Sequence, residues 1–76
     1  MSFVGSNYKI YCNDISGDGS EFELVFERDG KIVDSIVENS FHDILIESNN
    51  FFCKNCEKYG VDTRYDTLVV ELVYKF

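Results

Sequence analysis

The stretch that decides the fold runs from Glu21 to Val37 and reads EFELVFERDGKIVDSIV. Apolar and charged residues alternate in its first half, which is the period-two pattern of a half-buried strand. Asp29-Gly30 follows, a pair preferred at the centre of a two-residue type I′ turn. We therefore predict a β-hairpin in which Glu21 to Arg28 pairs with Lys31 to Val37.

The two faces of this hairpin differ in character. If the strands pair without interruption, a two-residue turn sets Phe26 opposite Val33 and Leu24 opposite Ser35. One face is then apolar and is expected to contribute Phe22, Leu24 and Phe26 to the core. The other face combines acidic with aliphatic side chains, and we predict that it binds a partner. Its predicted members are Glu21, Glu23, Val25, Glu27, Ile32, Asp34 and Ile36.

Three further segments flank the hairpin. Alternation predicts a first strand over Tyr8 to Ile15 and a last strand over Thr67 to Phe76. Between the hairpin and the last strand, a helix is expected to begin after Ser40, a preferred N-cap residue, and to end at Gly60. Ser48-Asn49-Asn50 leaves open a break in that helix. The side chains predicted to face inward are Phe41, Ile44, Leu45, Phe52, Cys56 and Tyr59.

The order strand, strand, strand, helix, strand predicts a single α+β domain over residues 1–76. A right-handed crossover through the helix brings the last strand back parallel to the third. We expect a four-stranded mixed sheet in the order 4-1-2-3, with the helix packed on one face. Leu72 and Tyr74 are predicted to lie on that helix-covered face, and no element is then expected to cover the opposite one.

Composition and charge restrict the classes of function. The 76 residues carry 14 acidic and 7 basic side chains, a net charge of −7. Direct binding to nucleic acid is disfavoured because phosphate contacts need clustered Lys and Arg, whereas basic protein surfaces are favoured partners. No apolar stretch has the length of a membrane span. Three cysteines, an odd number, indicate a reducing, cytoplasmic setting rather than a disulfide framework.

The residues that could carry chemistry do not form a catalytic or metal-binding set. Cys53 and Cys56 have the spacing of a metal or redox pair, but a second ligand pair is missing and the pair lies in the second half of the predicted helix. His42 is the only histidine, and no nucleophile with a base and an orienting acid surrounds it. We expect structural thiols, no bound metal, no cofactor and no enzymatic activity.

In format the chain resembles the small acidic phage inhibitors of host defence, the anti-CRISPR and anti-restriction proteins. The resemblance rests on size, on the absence of a catalytic set, and on acidic residues along one hairpin: Glu21, Glu23, Glu27, Asp29 and Asp34. It implies an inhibitor that binds a basic surface of a nucleic-acid-handling protein. The alternatives are a toxin-neutralising immunity protein and an assembly subunit that uses the uncovered sheet face as a permanent interface. As an inhibitor the chain is expected to be a monomer or a homodimer.

Overall fold

Five elements follow one another in the computed structural model in the order that the sequence predicts, and residues 5–18 and 20–71 are the part that the structure describes. The strands are β1 (Asn7–Asp14), β2 (Phe22–Arg28), β3 (Lys31–Glu38) and β4 (Thr67–Glu71), and the helix is α1 (Phe41–Lys58). The sheet has the order β3-β2-β1-β4. Since β1 is antiparallel to β2 and parallel to β4, the predicted mixed α+β sheet is confirmed.

The hairpin turn has the predicted geometry. Asp29 and Gly30 both have positive φ, 51° and 83°, as a type I′ turn requires. The turn also contacts the start of β1: the Asp29 amide donates to the Asn7 carbonyl at 2.7 Å, and the Asn7 amide donates to the Asp29 carboxylate at 2.8 Å. These two bonds couple the β2–β3 turn to the start of β1.

The helix is continuous and closes at both ends as expected. The Ser40 hydroxyl accepts a bond from the Asp43 amide at 3.1 Å, which satisfies one of the free donors of the first turn. At the other end Gly60 has a φ of 63°, and the Val61 amide donates to the Cys56 carbonyl at 2.9 Å. This is a Schellman cap, in which glycine adopts the left-handed conformation without strain.

The core lies between α1 and the central strands β1 and β2, and β3 packs at its edge. Its fully buried aliphatic and aromatic members come from three elements. The Phe26 ring is at its centre, 5.7 Å from the Tyr8 ring and stacked on the Tyr59 ring at the same distance. The buried residues of this cluster are Tyr8, Ile10, Leu24, Phe26, Ile44 and Phe51.

The buried face of α1 is rotated from the predicted one. Leu45, expected inside, is 45% exposed, while Ser48, Phe51 and Asn55 are buried. Ser48 is accommodated because its hydroxyl donates to the Leu45 carbonyl, and the Asn55 amide group donates to the Phe51 carbonyl at 2.9 Å. Polar residues thus occupy two core-facing positions of α1. The spacing of its apolar residues alone therefore does not predict its buried face. The predicted inward positions of the Phe41, Leu72 and Tyr74 side chains lie outside the described part.

The uninterrupted register predicted for β2 and β3 is wrong beyond the turn. Glu27 is opposite Ile32 as expected, but Phe26 is opposite Asp34, so that Val33 is an extra residue. A bulge of one residue moves every later side chain to the other face of the sheet. Asp34 and Ile36 therefore lie on the helix side instead of the predicted binding face.

Candidate partner-binding face

The sheet has a face directed away from α1, which we call the open face. Alternation along each strand and the cross-strand registers define its members. No described element covers it, because α1 packs on the opposite side. Its central residues are Lys9, Tyr11 and Asn13 of β1, Glu23, Val25 and Glu27 of β2, Ile32, Ser35 and Val37 of β3, and Val69 and Glu71 of β4.

Val25 is the centre of the open face and is fully buried, although no described element covers it. Its cross-strand neighbours are Tyr11 and Ser35, and Glu23 and Glu27 flank it along the strand. The two carboxylates are half-buried and lie at the edge of this apolar centre.

Tyr11 and Glu27 form a hydrogen-bonded pair on this face. The bond to the Glu27 carboxylate and burial together raise the pKa of Tyr11 to about 12. The acidic neighbourhood adds to the effect, since a phenolate beside Glu27 and Glu23 would add a further negative charge. Tyr11 therefore stays neutral to higher pH than a free tyrosine, with its hydroxyl as the donor to Glu27.

Lys9 compensates the negative charge on the β1–β4 side. Its Nζ lies 3.3 Å from Oε2 of Glu71 and 5.2 Å from the centre of the Tyr11 ring. Ammonium groups at such a distance are attracted by an aromatic face. Glu71, Lys9, Tyr11 and Glu27 thus form a continuous polar network across three strands.

The β2–β3 side lacks such compensation. Ile32 is 61% exposed and Val37 is 51% exposed, and both lie on the outer strand. Among the described residues, no cation lies within ion-pair distance of Glu23. This side therefore combines two exposed aliphatic side chains with a half-buried carboxylate that forms no ion pair within the described part of the chain.

The structure places four of the seven predicted site residues together on the open face: Glu23, Val25, Glu27 and Ile32. Glu21 is exposed and precedes β2. The bulge removes Asp34 and Ile36 and replaces them with Ser35 and Val37, which the sequence reasoning missed. The only signal for them was that aliphatic pairs occur twice in β3, at Ile32-Val33 and Ile36-Val37, so that either register gives two aliphatic residues to each face.

The described cysteines and the histidine lie outside the open face. Burial raises the pKa values of the Cys12 and Cys56 thiols, which opposes thiolate formation, and Cys53 is an exposed free thiol. His42 is exposed on α1. Within residues 5–18 and 20–71, no three His, Cys, Asp or Glu side chains are grouped to hold a metal ion.

The acidic loop after β1 satisfies its own hydrogen bonds. Oδ1 of Asp14 accepts from the Ser16 amide and hydroxyl and from the Gly17 amide, and Asp18 accepts from Ser20. The bonds from Ser20 and Ser16 lower the pKa of Asp18 to about 2. These carboxylates therefore stabilise the loop conformation.

Comparison with protein-family models, with curated proteins and with solved structures finds no match to this chain. None of the described helices is both long and apolar enough to span a membrane.

Proposed function

We propose that this protein is a non-catalytic binding module whose open face docks on a basic surface of a nucleic-acid-handling protein and inhibits it. The observation that carries the proposal is the β2–β3 side of the open face. There Glu23 is half-buried with no cation of the described residues within ion-pair distance, opposite the exposed Val37 and on the same side as the exposed Ile32. An apolar centre with a charged rim is typical of protein interfaces.

The charge of the whole chain supports the same class of partner. A net charge of −7 steers basic surfaces toward the molecule and accelerates their association. Surfaces that hold DNA or RNA are basic because they neutralise phosphates. An acidic protein of this size that covers part of such a surface competes with the nucleic acid for it.

An assembly subunit is the second candidate, and the exposure of Ile32 and Val37 favours it. Self-association through the open face would place Glu23 and Glu27 of two copies near each other. Carboxylates that approach in this way repel, and Lys9 is already paired with Glu71. Sedimentation of the isolated protein separates the candidates, since an assembly subunit forms oligomers without a partner.

Two matched charge reversals test the proposed interface. Glu23→Lys with Glu27→Lys changes the open face, and Asp43→Lys with Glu47→Lys changes α1. Each substitution adds two charges, so both double variants move the net charge from −7 to −3. A basic partner is first recovered from the native host and purified, and its association rate is then measured against salt concentration for each variant.

We expect the open-face variant to associate at least tenfold more slowly than the helix variant, with a flatter salt dependence. Because both variants have the same net charge, long-range electrostatic steering is the same for both. The difference between their association rates therefore reports the local contact. Thermal melting of both variants checks that the fold is retained. The proposal is wrong if the helix variant loses binding and the open-face variant binds as wild type does.

A further inference from the structure

The bulge in β3 gives the strand an unusual relation to its neighbour. Val33 has no cross-strand partner, while Ile32 and Asp34 on either side of it pair with Glu27 and Phe26. The Val33 carbonyl instead accepts a bond from the Tyr59 hydroxyl at 3.1 Å. A side chain at the C-terminal end of α1 therefore satisfies the backbone of the extra residue.

The sequence of β3 is compatible with two pairings. In the observed pairing, Ile36 packs toward the core and Val37 is on the open face. Without the bulge the two would exchange places, as would Asp34 and Ser35. The core receives Val33 and Ile36 with the bulge, and Val33 and Val37 without it. Both pairings thus give the core two aliphatic residues, so the hydrophobic pattern distinguishes the two pairings only weakly.

Tyr59 is positioned to decide between the two pairings. Its ring stacks on Phe26, 5.7 Å away and inclined by 15°, and its amide donates to the Asn55 carbonyl at the end of α1. The ring is thereby fixed on the β2 residue that faces the bulge. Removing only the hydroxyl would leave this stacking in place and take away the bond to the extra residue.

We propose that β3 is a two-register strand in which the Tyr59–Val33 hydrogen bond holds the bulged pairing, and that the uninterrupted pairing presents Asp34 and Ile36 on the open face. The coupling to binding rests on the proposed function. A partner that docks on Ile32 and Val37 favours the bulged pairing, because only this pairing presents Val37 on the open face. Binding and register are then linked, and each shifts the equilibrium of the other.

The test uses NMR on the isolated chain, so that it does not depend on any partner. Chemical-exchange saturation transfer on wild type should reveal a minor state confined to β3 and to the facing residues of β2. Tyr59→Phe should increase its population about five- to tenfold, the effect of one net hydrogen bond. Cross-strand Hα contacts should then appear between Val25 and Asp34 beside those between Val25 and Ser35.

Two controls make the outcome decisive. Tyr65→Phe removes a tyrosine hydroxyl from the loop before β4 and should leave the exchange unchanged. Deletion of Val33 removes the residue by which the two pairings differ and should abolish it. Exchange in wild type that the deletion abolishes supports the proposal even if Tyr59→Phe does not fold.

The proposal is overturned if wild type and Tyr59→Phe show one register, with only the Val25–Ser35 contacts. It is also overturned if the exchange persists after Val33 is deleted. A charge-reversed open face that still binds the partner would refute the proposed function and leave this result unaffected.

Discussion

At the scale of the residue, Phe26 carries more of the stability than any other aromatic of the hairpin. It is fully buried and lies between the Tyr8 and Tyr59 rings, whereas Phe22 is half-buried at the start of β2. We expect Phe26→Ala to lower the free energy of unfolding by about 3–5 kcal/mol, the usual cost of a buried Phe. Phe22→Ala should cost less, because part of its surface is already in water.

Urea unfolding of both variants measures this difference. In a domain of this size the loss at Phe26 consumes a large part of the total stability. An equal or larger loss of unfolding free energy for Phe22→Ala would show that the centre of the core lies nearer the start of β2 than Phe26.

Tyr11 gives a prediction about alkaline pH. Folding raises its pKa from 10.0 to about 12 through the bond to Glu27 and through burial. A raised pKa means that the stabilisation is complete below pH 10 and is lost as the pH rises through 12. Wild type should therefore exceed Tyr11→Phe in stability by about 1 kcal/mol at neutral pH, the net worth of one hydrogen bond.

That advantage should disappear between pH 10 and pH 12. Thermal melts of both proteins across this range measure the difference directly. Other titrating groups contribute equally to the two curves and cancel. A constant difference up to pH 12 would show that the Tyr11 hydroxyl does not bond to Glu27 in solution.

At the scale of the element, the parts set by local interactions could be predicted from the sequence. Asp29-Gly30 specifies its turn because both residues must take positive φ, and Ser40 and Gly60 specify the helix ends through backbone bonds to near neighbours. The inward face of α1 and the register of β3 were not predictable in this way. Asn55 is buried with its amide group bonded within the helix, and the extra residue of the bulge, Val33, is bonded by Tyr59, which is 26 positions further along the chain.

The bulge gives Ile36 and Val37 opposite roles that a pair of variants can separate. Ile36 packs against the core, and Val37 is 51% exposed on the open face. Ile36→Ala should reduce thermal stability and leave the dissociation rate from the partner nearly unchanged. Val37→Ala should speed dissociation about tenfold with little effect on melting, since aliphatic contacts at an interface act mainly on the off-rate.

Melting curves and dissociation rates for the two variants are measured side by side. The reverse result, with Val37→Ala unfolding the protein and Ile36→Ala weakening the complex, would favour the uninterrupted pairing as the dominant one in solution.

At the scale of the whole molecule, the sequence predicts a face that mixes acidic and aliphatic side chains, but it identifies only some of the residues on that face. Alternation in β2 is read from that strand alone, so it places Glu23, Val25 and Glu27 on one face whatever the neighbours do. The contribution of β3 depends on register, which is a property of the assembled sheet. The compensation of Glu71 by Lys9 likewise requires the parallel pairing of β1 with β4, which are about sixty residues apart in the chain.

The three cysteines bear on what stabilises the molecule as a whole. The three cysteines are free thiols, and burial raises the pKa values of Cys12 and Cys56, so that neither is poised as a thiolate ligand. Cys56 is useful to the fold as a small apolar group that packs on the core beside Val61, its partner in the helix cap. Stability should therefore come from packing and from the hydrogen-bonded ends of the elements, independently of any metal or disulfide.

We accordingly expect the melting temperature to stay unchanged when a chelator or a mild reductant is added. Cys53→Ser, a change at an exposed thiol, should melt as wild type does, whereas Cys56→Ala should melt lower because the core loses a packed sulfur. A metal that contributed to folding would make the protein unfold on chelation, since its binding free energy would be part of the folding free energy. A large fall with the chelator, together with an equal fall for Cys53→Ser and Cys56→Ala, would therefore assign the thiols to a metal site and contradict their structural role.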